Sequence, residues 1–254
     1  MKFAFIIQAR LGSSRLPKKM ILPFYNGWSI LDIILEKIKL NFPDDLLILA
    51  TSVNEENDIL EQKAKEKECL IFRGDENNVL LRFCNAANQY SVNNIIRICA
   101  DNPFLDVEEL KRLKDFANGN LETDYIGFNI KGVPSIKTHY GFWAEYTTLK
   151  TLEKVRELTQ EPLYQEHVTN YIYENPSIFN IKYLDPHSLL SNQENIRMTL
   201  DTQQDFEVLS EIYSKLYAKY KTNFGIPEIL NILNENEDYK ERMLSEIRQN
   251  SKEK

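Results

Sequence analysis

The amino-acid sequence predicts an α/β fold with a mostly parallel central sheet and helices on both faces. Three observations carry this expectation. Short apolar runs alternate with longer stretches of helical periodicity along the first half of the chain. The chain has 254 residues and 43% hydrophobic content, enough to bury one sizeable core. No run approaches the ~18 consecutive apolar residues of a membrane span, and its three cysteines, Cys69, Cys84 and Cys99, are odd in number and set in apolar contexts. A disulfide framework or zinc site is therefore not expected, and a reducing cytoplasm is.

The elements follow in order. Phe3 to Ala9 reads as a buried strand, and Ile30 to Leu40 as a helix that Ser29 caps. Leu46 to Thr51 is a second strand, followed by a polar helix over Asn57 to Glu68. "CLIFR", Cys69 to Arg73, is a third strand, and Val79, Leu80, Phe83, Ala86, Ala87 and Tyr90 then fall at helical spacing. Asn94 to Ala100 is a fourth strand, and a helix after Asp106 turns Leu110, Leu113 and Phe116 inward. Tyr125 to Asn129 reads as a strand, whereas Lys131 to Gly141 has little periodicity. Helical patterns cover Ala144 to Leu158 and Leu163 to Tyr173, the latter stopped by Pro176. "NIRMTLD", Asn195 to Asp201, is a last strand that feeds a long helix carrying Phe206, Leu209, Ile212, Tyr213, Leu216 and Tyr217. Over residues 234–254 charge rises and apolar residues thin out, so a frayed helix or disordered end is expected.

The formal net charge is −7, which gives no overall attraction to nucleic acid or an anionic membrane. Against this background Met1 to Ile30 contains no Asp or Glu, and Lys2, Arg10, Arg15, Lys18 and Lys19 all fall within it. Most of these cations lie in "QARLGSSRLPKKM", which leaves the first strand at the edge where doubly wound sheets bind ligands. With Gly12 as its lone glycine, the loop matches neither a Walker loop nor G-x-G-x-x-G. Arg10, Arg15 and Lys19 instead supply charge suited to phosphate oxygens, and their convergence suggests a polyanion such as a triphosphate. A solvated basic turn is the plainer alternative. Two further strands end in aspartates, Asp101 in "RICADNP" and Asp201 in "RMTLDT". Facing the basic loop, they could share a Mg²⁺ ion bound to those phosphates, or each could be an ordinary cap or turn residue.

Taken together these stretches resemble the sugar-activating cytidylyltransferases, including CMP-Kdo and CMP-sialate synthetases, most closely the spore coat polysaccharide biosynthesis branch. The resemblance extends through "ATSVNEEND", "FRGDENNVLLRF", "RICADNPFLD", "EHVTNYIY" and "IRMTLDTQQDFEVL". It implies a three-layer, Rossmann-like nucleotidyltransferase fold of the glycosyltransferase-A-like type, acting on CTP with Mg²⁺. One domain over 1–233 would carry an inserted acceptor and dimerisation segment at about 122–190, ahead of the charged tail. Residue by residue, it implies triphosphate contacts from Arg10 and Lys19, with Arg15 as the loop's other cation, and metal ligation by Asp101 and Asp201. Ala9, Gly12, Ser13, Thr51, Ser52, Arg73 and Gly74 would line the nucleotide. Lys18 stands where the family usually has Gly, Trp28 where it has Lys, and Cys99 with Ala100 where it has Thr-Gly.

The reaction so implied is displacement at the α-phosphorus of CTP by a sugar oxygen, giving a CMP-sugar in surface polysaccharide or glycan biosynthesis. Lys137, His139, Tyr140 and Trp143 either wall the site of an acidic, ulosonate-type sugar or belong to an ordinary loop, and His167 either reaches the acceptor or lies in a helix interface. His187, beside Pro186, reads as a turn residue. A phosphorylated sugar or polyol as acceptor, giving a CDP-product, is one alternative; a non-catalytic nucleotide-binding assembly partner is another. A cytoplasmic homodimer is expected.

Overall fold

The computed structural model describes residues 2–250. Its strands are β1 (Phe3–Gln8), β2 (Leu46–Ser52), β3 (Leu70–Gly74), β4 (Asn94–Cys99), β5 (Tyr125–Ile130), β6 (Val133–Pro134), β7 (Glu145–Thr148) and β8 (Ile181–Leu184). Its helices are α1 (Ile30–Asn41), α2 (Asp58–Glu66), α3 (Val79–Gln89), α4 (Val107–Asn118), α5 (Leu149–Leu158), α6 (Pro162–Glu166), α7 (Asn170–Glu174), α8 (Gln203–Tyr220), α9 (Ile226–Asn234) and α10 (Glu237–Gln249). The sheet order is β3-β2-β1-β4-β7-β5, with β6 and β8 both pairing β5. β1 runs parallel to β2 and β4, and β2 parallel to β3; β7 is antiparallel to both β4 and β5.

Side-chain alternation divides the core between the two faces. Phe3, Phe5 and Ile7 of β1 enter one cluster with α1, α4 and the C-terminal helices, while Ala4 and Ile6 enter another with α3 and α5. A central strand buried on both faces must be apolar at every position, which is why β1 reads as a continuous hydrophobic run. Ser29 caps α1 as expected, its hydroxyl accepting from Asp32 N while the Asp32 carboxylate accepts from Ser29 N.

Four expectations are corrected. The helix expected over Ala144 to Leu158 begins only at Leu149, because Tyr146, Thr147 and Thr148 are β-formers and extend the sheet as β7. Residue Glu145 opens that strand 2% exposed, paired with Arg97 of β4 and accepting from Tyr125 Oη at 2.6 Å. The helix expected over Leu163 to Tyr173 is broken into α6 and α7 around His167, Val168 and Thr169, where the Thr169 hydroxyl donates to Glu145 at 3.1 Å. Asn195 to Asp201 forms no ladder, and Asn195, with φ 64, lies in the left-handed region. The segment's backbone instead makes single bonds, Met198 N to His139 O at 2.8 Å and Leu200 N to Asp101 O at 2.9 Å. Of the C-terminal stretch, residues 251–254 lie outside the described residues, and the part before them holds the helix α10, which buries Tyr239 and Met243 and receives the Thr202 hydroxyl on Glu246 at 2.8 Å. Two apolar side chains one turn apart suffice to dock it, too few to stand out among its charges. No helix of the described residues is long and apolar enough to cross a membrane.

Between α1, α4, α8 and residues 222–228 lies a cavity of about 780 Å³, lined among others by Trp28, Lys37, Tyr213, Tyr217 and Phe224. His187, also on its wall, accepts from Leu189 N through Nδ1 and is the turn residue expected. Burial outweighs the attraction of Asp106 and lowers the Lys37 amine from 10.5 to about 8. Between those values the unfolded chain holds a proton that the folded chain has released, so this residue makes stability rise with pH across that window. The urea midpoint of the protein relative to a Lys37→Met variant is therefore expected to increase from pH 7.5 to pH 10. A constant difference would show that the amine is not destabilised by its cavity.

Candidate functional site

The loop after β1 is shaped by backbone bonds that bring its cations back over the sheet edge. Ser13 N and Lys18 N both donate to Leu11 O, at 2.8 and 3.3 Å, and Leu11 N donates to Asn57 Oδ1 at 2.9 Å. Asn57 is itself buried and donates to Ser52 Oγ at 2.9 Å, so it ties the β1 loop to the end of β2. Lys18, at the position where a glycine is usual in the resemblance, has φ 59, in the left-handed region. A side chain there costs roughly 1–2 kcal/mol relative to glycine. It points to solvent, so the departure changes backbone strain and not the interior of the loop.

The buried ammonium of Lys19 is the centre of the site. Its Nζ donates to Leu200 O at 2.5 Å, to Asp201 Oδ1 at 3.2 Å and to Asp101 Oδ2 at 3.4 Å. Two carboxylates far apart in the sequence thus meet at one cation. Arg15, half exposed, approaches the same Asp201 Oδ1 at 3.0 Å. Burial alone would lower the Lys19 pKa, but Asp101 and Asp201 together hold it above its ordinary value. Burial alone would raise that of Asp201, but Lys19, Arg15 and Arg197 hold it below the usual carboxylate range. Lys19 and Asp201 are therefore an ionised pair at neutral pH.

Arg10 stands at the other side of the loop. Its guanidinium pairs with Glu166 of α6 at 2.9 Å and lies 3.8 Å from Glu76. The structure thus brings Arg15, Lys19, Asp101 and Asp201 into one contact network and sets Arg10 beside the loop that follows β3. Gly12 and Ser13 sit at the loop's open surface, and Ala9 is buried beneath it.

The residues expected to line the nucleotide from β2 and β3 are more occupied. Thr51 and Ser52 are fully buried, and Ser52 Oγ accepts from Asn54 N and Asn57 Nδ2. Arg73 is held by Asp58 and Glu61, and by the carbonyls of Ser52 and Asn54. These side chains shape the wall, and Gly74 keeps it close: a Cβ there would lie 2.8 Å from the Phe72 ring.

On the acceptor side one expectation is corrected. Trp143 is a core residue, 5% exposed, stacked on Phe128 and donating to Glu109 at 3.1 Å. Lys137 pairs with Glu174, Tyr140 donates to Gln193 O, and His139 meets Arg197, with Nδ1 2.7 Å from Nη1. His167 lies at the exposed break between α6 and α7 and not in a helix interface. Sequence reasoning passed over Asn57, Glu166, Arg197 and Asp205. The available signal for Arg197 was a lone cation inside an apolar strand-like run, which burial forces to find a partner.

Two carboxylates sharing one point suit a hard, oxygen-preferring cation completed by phosphate oxygens and water. The three loop cations suit a chain of phosphates. Among the described residues no group of three or more His, Cys, Asp or Glu side chains forms a self-sufficient metal site. A cation here would therefore depend on ligand oxygens for the rest of its shell.

Comparison with known proteins points to one family. The family profile described as cytidylyltransferase matches residues 4–241. The chain is 35% identical over 251 residues to the uncharacterized protein MJ1063 of Methanocaldococcus jannaschii, covering 99% of this chain and 98% of that one. It is 32% identical to the spore coat polysaccharide biosynthesis protein SpsF of Bacillus subtilis, covering 92% and 95%. The solved structure of a cytidylyltransferase from Leptospira borgpetersenii superposes with a TM-score of 0.82 at 26% identity, covering 94% and 96%.

Proposed function

Because the chain belongs to the cytidylyltransferase family and is a nucleotidyltransferase, we propose that it transfers CMP from CTP to a free acidic sugar of the ulosonate type and releases pyrophosphate. The observation that carries this reading is the convergence of Lys19 on Asp101 and Asp201, with Arg15 on the same carboxylate. In the reaction a sugar hydroxyl oxygen bonds to the α-phosphorus, and the bond from that phosphorus to the bridging oxygen breaks. Pyrophosphate leaves with the electron pair and the hydroxyl proton passes to solvent.

Such a displacement needs positioning and charge neutralisation more than a covalent enzyme residue. Arg10, Arg15 and Lys19 stabilise the charge that gathers on the leaving pyrophosphate. Asp101 and Asp201 would hold Mg²⁺, which when bound supplies charge neutralisation at the α-phosphate. Ala9, Gly12 and Ser13, with the wall made by Thr51, Ser52, Arg73 and Gly74, bound the nucleoside. Lys137, His139 and Tyr140 face the acceptor. We read the middle segment, about 122–190, as the acceptor and dimerisation insert of a Rossmann-like, glycosyltransferase-A-like enzyme that works as a cytoplasmic homodimer in surface polysaccharide synthesis.

The test is pyrophosphate release from CTP and Mg²⁺ across a panel of free acidic sugars and sugar phosphates. Release with a free ulosonate and not with phosphorylated sugars is the expected result. Release only with phosphorylated acceptors would overturn the acceptor class, and CTP binding without turnover across the panel would overturn catalysis.

A further inference from the structure

The aspartate at the end of the 195–201 segment is not free to choose its orientation. Arg197 is completely buried, and its guanidinium forks onto Asp205, with Nε to Oδ1 at 2.7 Å and Nη2 to Oδ2 at 2.8 Å. The same Nη2 reaches Asp201 Oδ2 at 3.3 Å. Asp205 Oδ2 in turn accepts from the backbone N–H groups of Asp201 and Thr202, at 2.9 and 3.0 Å. The Thr202 hydroxyl accepts from Asp205 N, completing a capping box at the start of α8. The backbone of Asp201 is therefore fixed by Asp205, and the inward oxygen of its carboxylate, Oδ2, by Arg197. Its other oxygen, Oδ1, is left facing Lys19, Arg15 and the loop.

A third group joins from the acceptor side. Arginine has no acceptor atom, so the 2.7 Å contact between Arg197 Nη1 and His139 Nδ1 requires the imidazole to accept there. His139 is thus a neutral ring carrying its proton on Nε2. Its backbone carbonyl also accepts from Met198 N at 2.8 Å, and Gly141 packs so closely on Met198 that a Cβ would lie 2.8 Å from the Met198 carbonyl. The 139–141 and 197–201 segments are laced into one unit.

We propose that Arg197 and Asp205 are positioning residues that orient Asp201 Oδ1 toward the metal and phosphates, with His139 bracing the same guanidinium from the acceptor segment. The inference rests on the metal role assigned to Asp201. A capping box alone would account for the Asp205 contacts to Thr202 but not for a buried guanidinium bridging three side chains. A planar fork that donates to all three at once is a task lysine cannot perform.

The experiment uses the full chain and Mn²⁺ as probe, titrated by electron paramagnetic resonance in the presence of a non-hydrolysable CTP analogue. CTP-analogue binding without metal and the thermal midpoint are measured alongside. Asp205→Asn keeps the acceptor oxygen for the backbone bonds but loses the charge that seats Arg197. It is expected to weaken Mn²⁺ binding by about 10- to 100-fold, in the range seen when groups supporting metal ligands are removed, while metal-free nucleotide binding stays within about twofold. If that variant does not fold, Arg197→Lys retains the charge without the fork and carries the same expectation. Asp201→Asn is the reference. Its loss of Mn²⁺ binding together with wild-type Mn²⁺ affinity in Asp205→Asn, or in Arg197→Lys where that variant stands in, would refute the positioning role alone. Unchanged Mn²⁺ affinity in Asp201→Asn would overturn the metal role itself, and the inference with it.

Discussion

Asp101→Asn is expected to abolish most CTP-dependent pyrophosphate release, by about 10²–10³-fold or more, while the protein folds as before. The Asp101 side chain is one-third exposed at the end of β4, and its contact with the Lys19 ammonium, at 3.4 Å, is the longest of the three that Nζ makes. Its backbone carbonyl, which accepts from Leu200 N, is untouched by the substitution. Asparagine preserves the size and an acceptor oxygen, so packing has little to lose. What disappears is the negative charge, and with it one of the two carboxylates that meet at the Lys19 ammonium. A thermal midpoint within a few degrees of wild type, combined with collapsed turnover in the pyrophosphate assay, is the predicted pair of results. Near wild-type turnover in this variant would sink the assignment.

The sheet was legible because its central strand β1 is buried on both faces and is apolar from Phe3 to Ile7. That the first half of the sheet is parallel followed from alternation of strand and helix, whereas the strand order did not. The middle of the chain was not legible for a physical reason. Glu145, a charged residue at the start of a helical-looking stretch, opens a strand because Arg97, Tyr125 and Thr169 satisfy it in the interior. Local propensity does not report a partner 48 residues away. The site behaved in the same way. Strand-end aspartates and a cluster of cations could be read one by one, and their meeting at Lys19 depends on the sheet bringing β1, β4 and the 195–201 segment to one edge. The reach of Trp143 into the core and the fork of Arg197 are tertiary facts, carried by side-chain direction, which periodicity in an irregular segment does not specify.

Lys19→Met is expected to damage catalysis and stability through the same lost charge. In turnover, removing a buried cation aimed at the phosphates should cost about 10²–10³-fold in kcat/KM, comparable to losing a principal oxyanion donor. In the fold, Lys19 is the foremost of the charges that keep buried Asp201 ionised, ahead of Arg15 and Arg197. The pair it forms contributes stability above the ordinary carboxylate pKa of 3.8, and that contribution is lost as pH falls through the depressed native value. The stability gap between wild type and variant should therefore be widest near pH 7 and narrow as pH falls below about 4. Urea midpoints measured from pH 7 to pH 3 read this directly. A gap that stays flat over that range would mean that Lys19 does not support the ionised carboxylate. Turnover within tenfold of wild type would mean that the phosphates do not depend on it. Arginine is not expected to rescue either defect, because Nζ reaches Leu200 O at 2.5 Å in a space shaped for one compact ammonium, and a planar fork cannot enter without displacing Asp201.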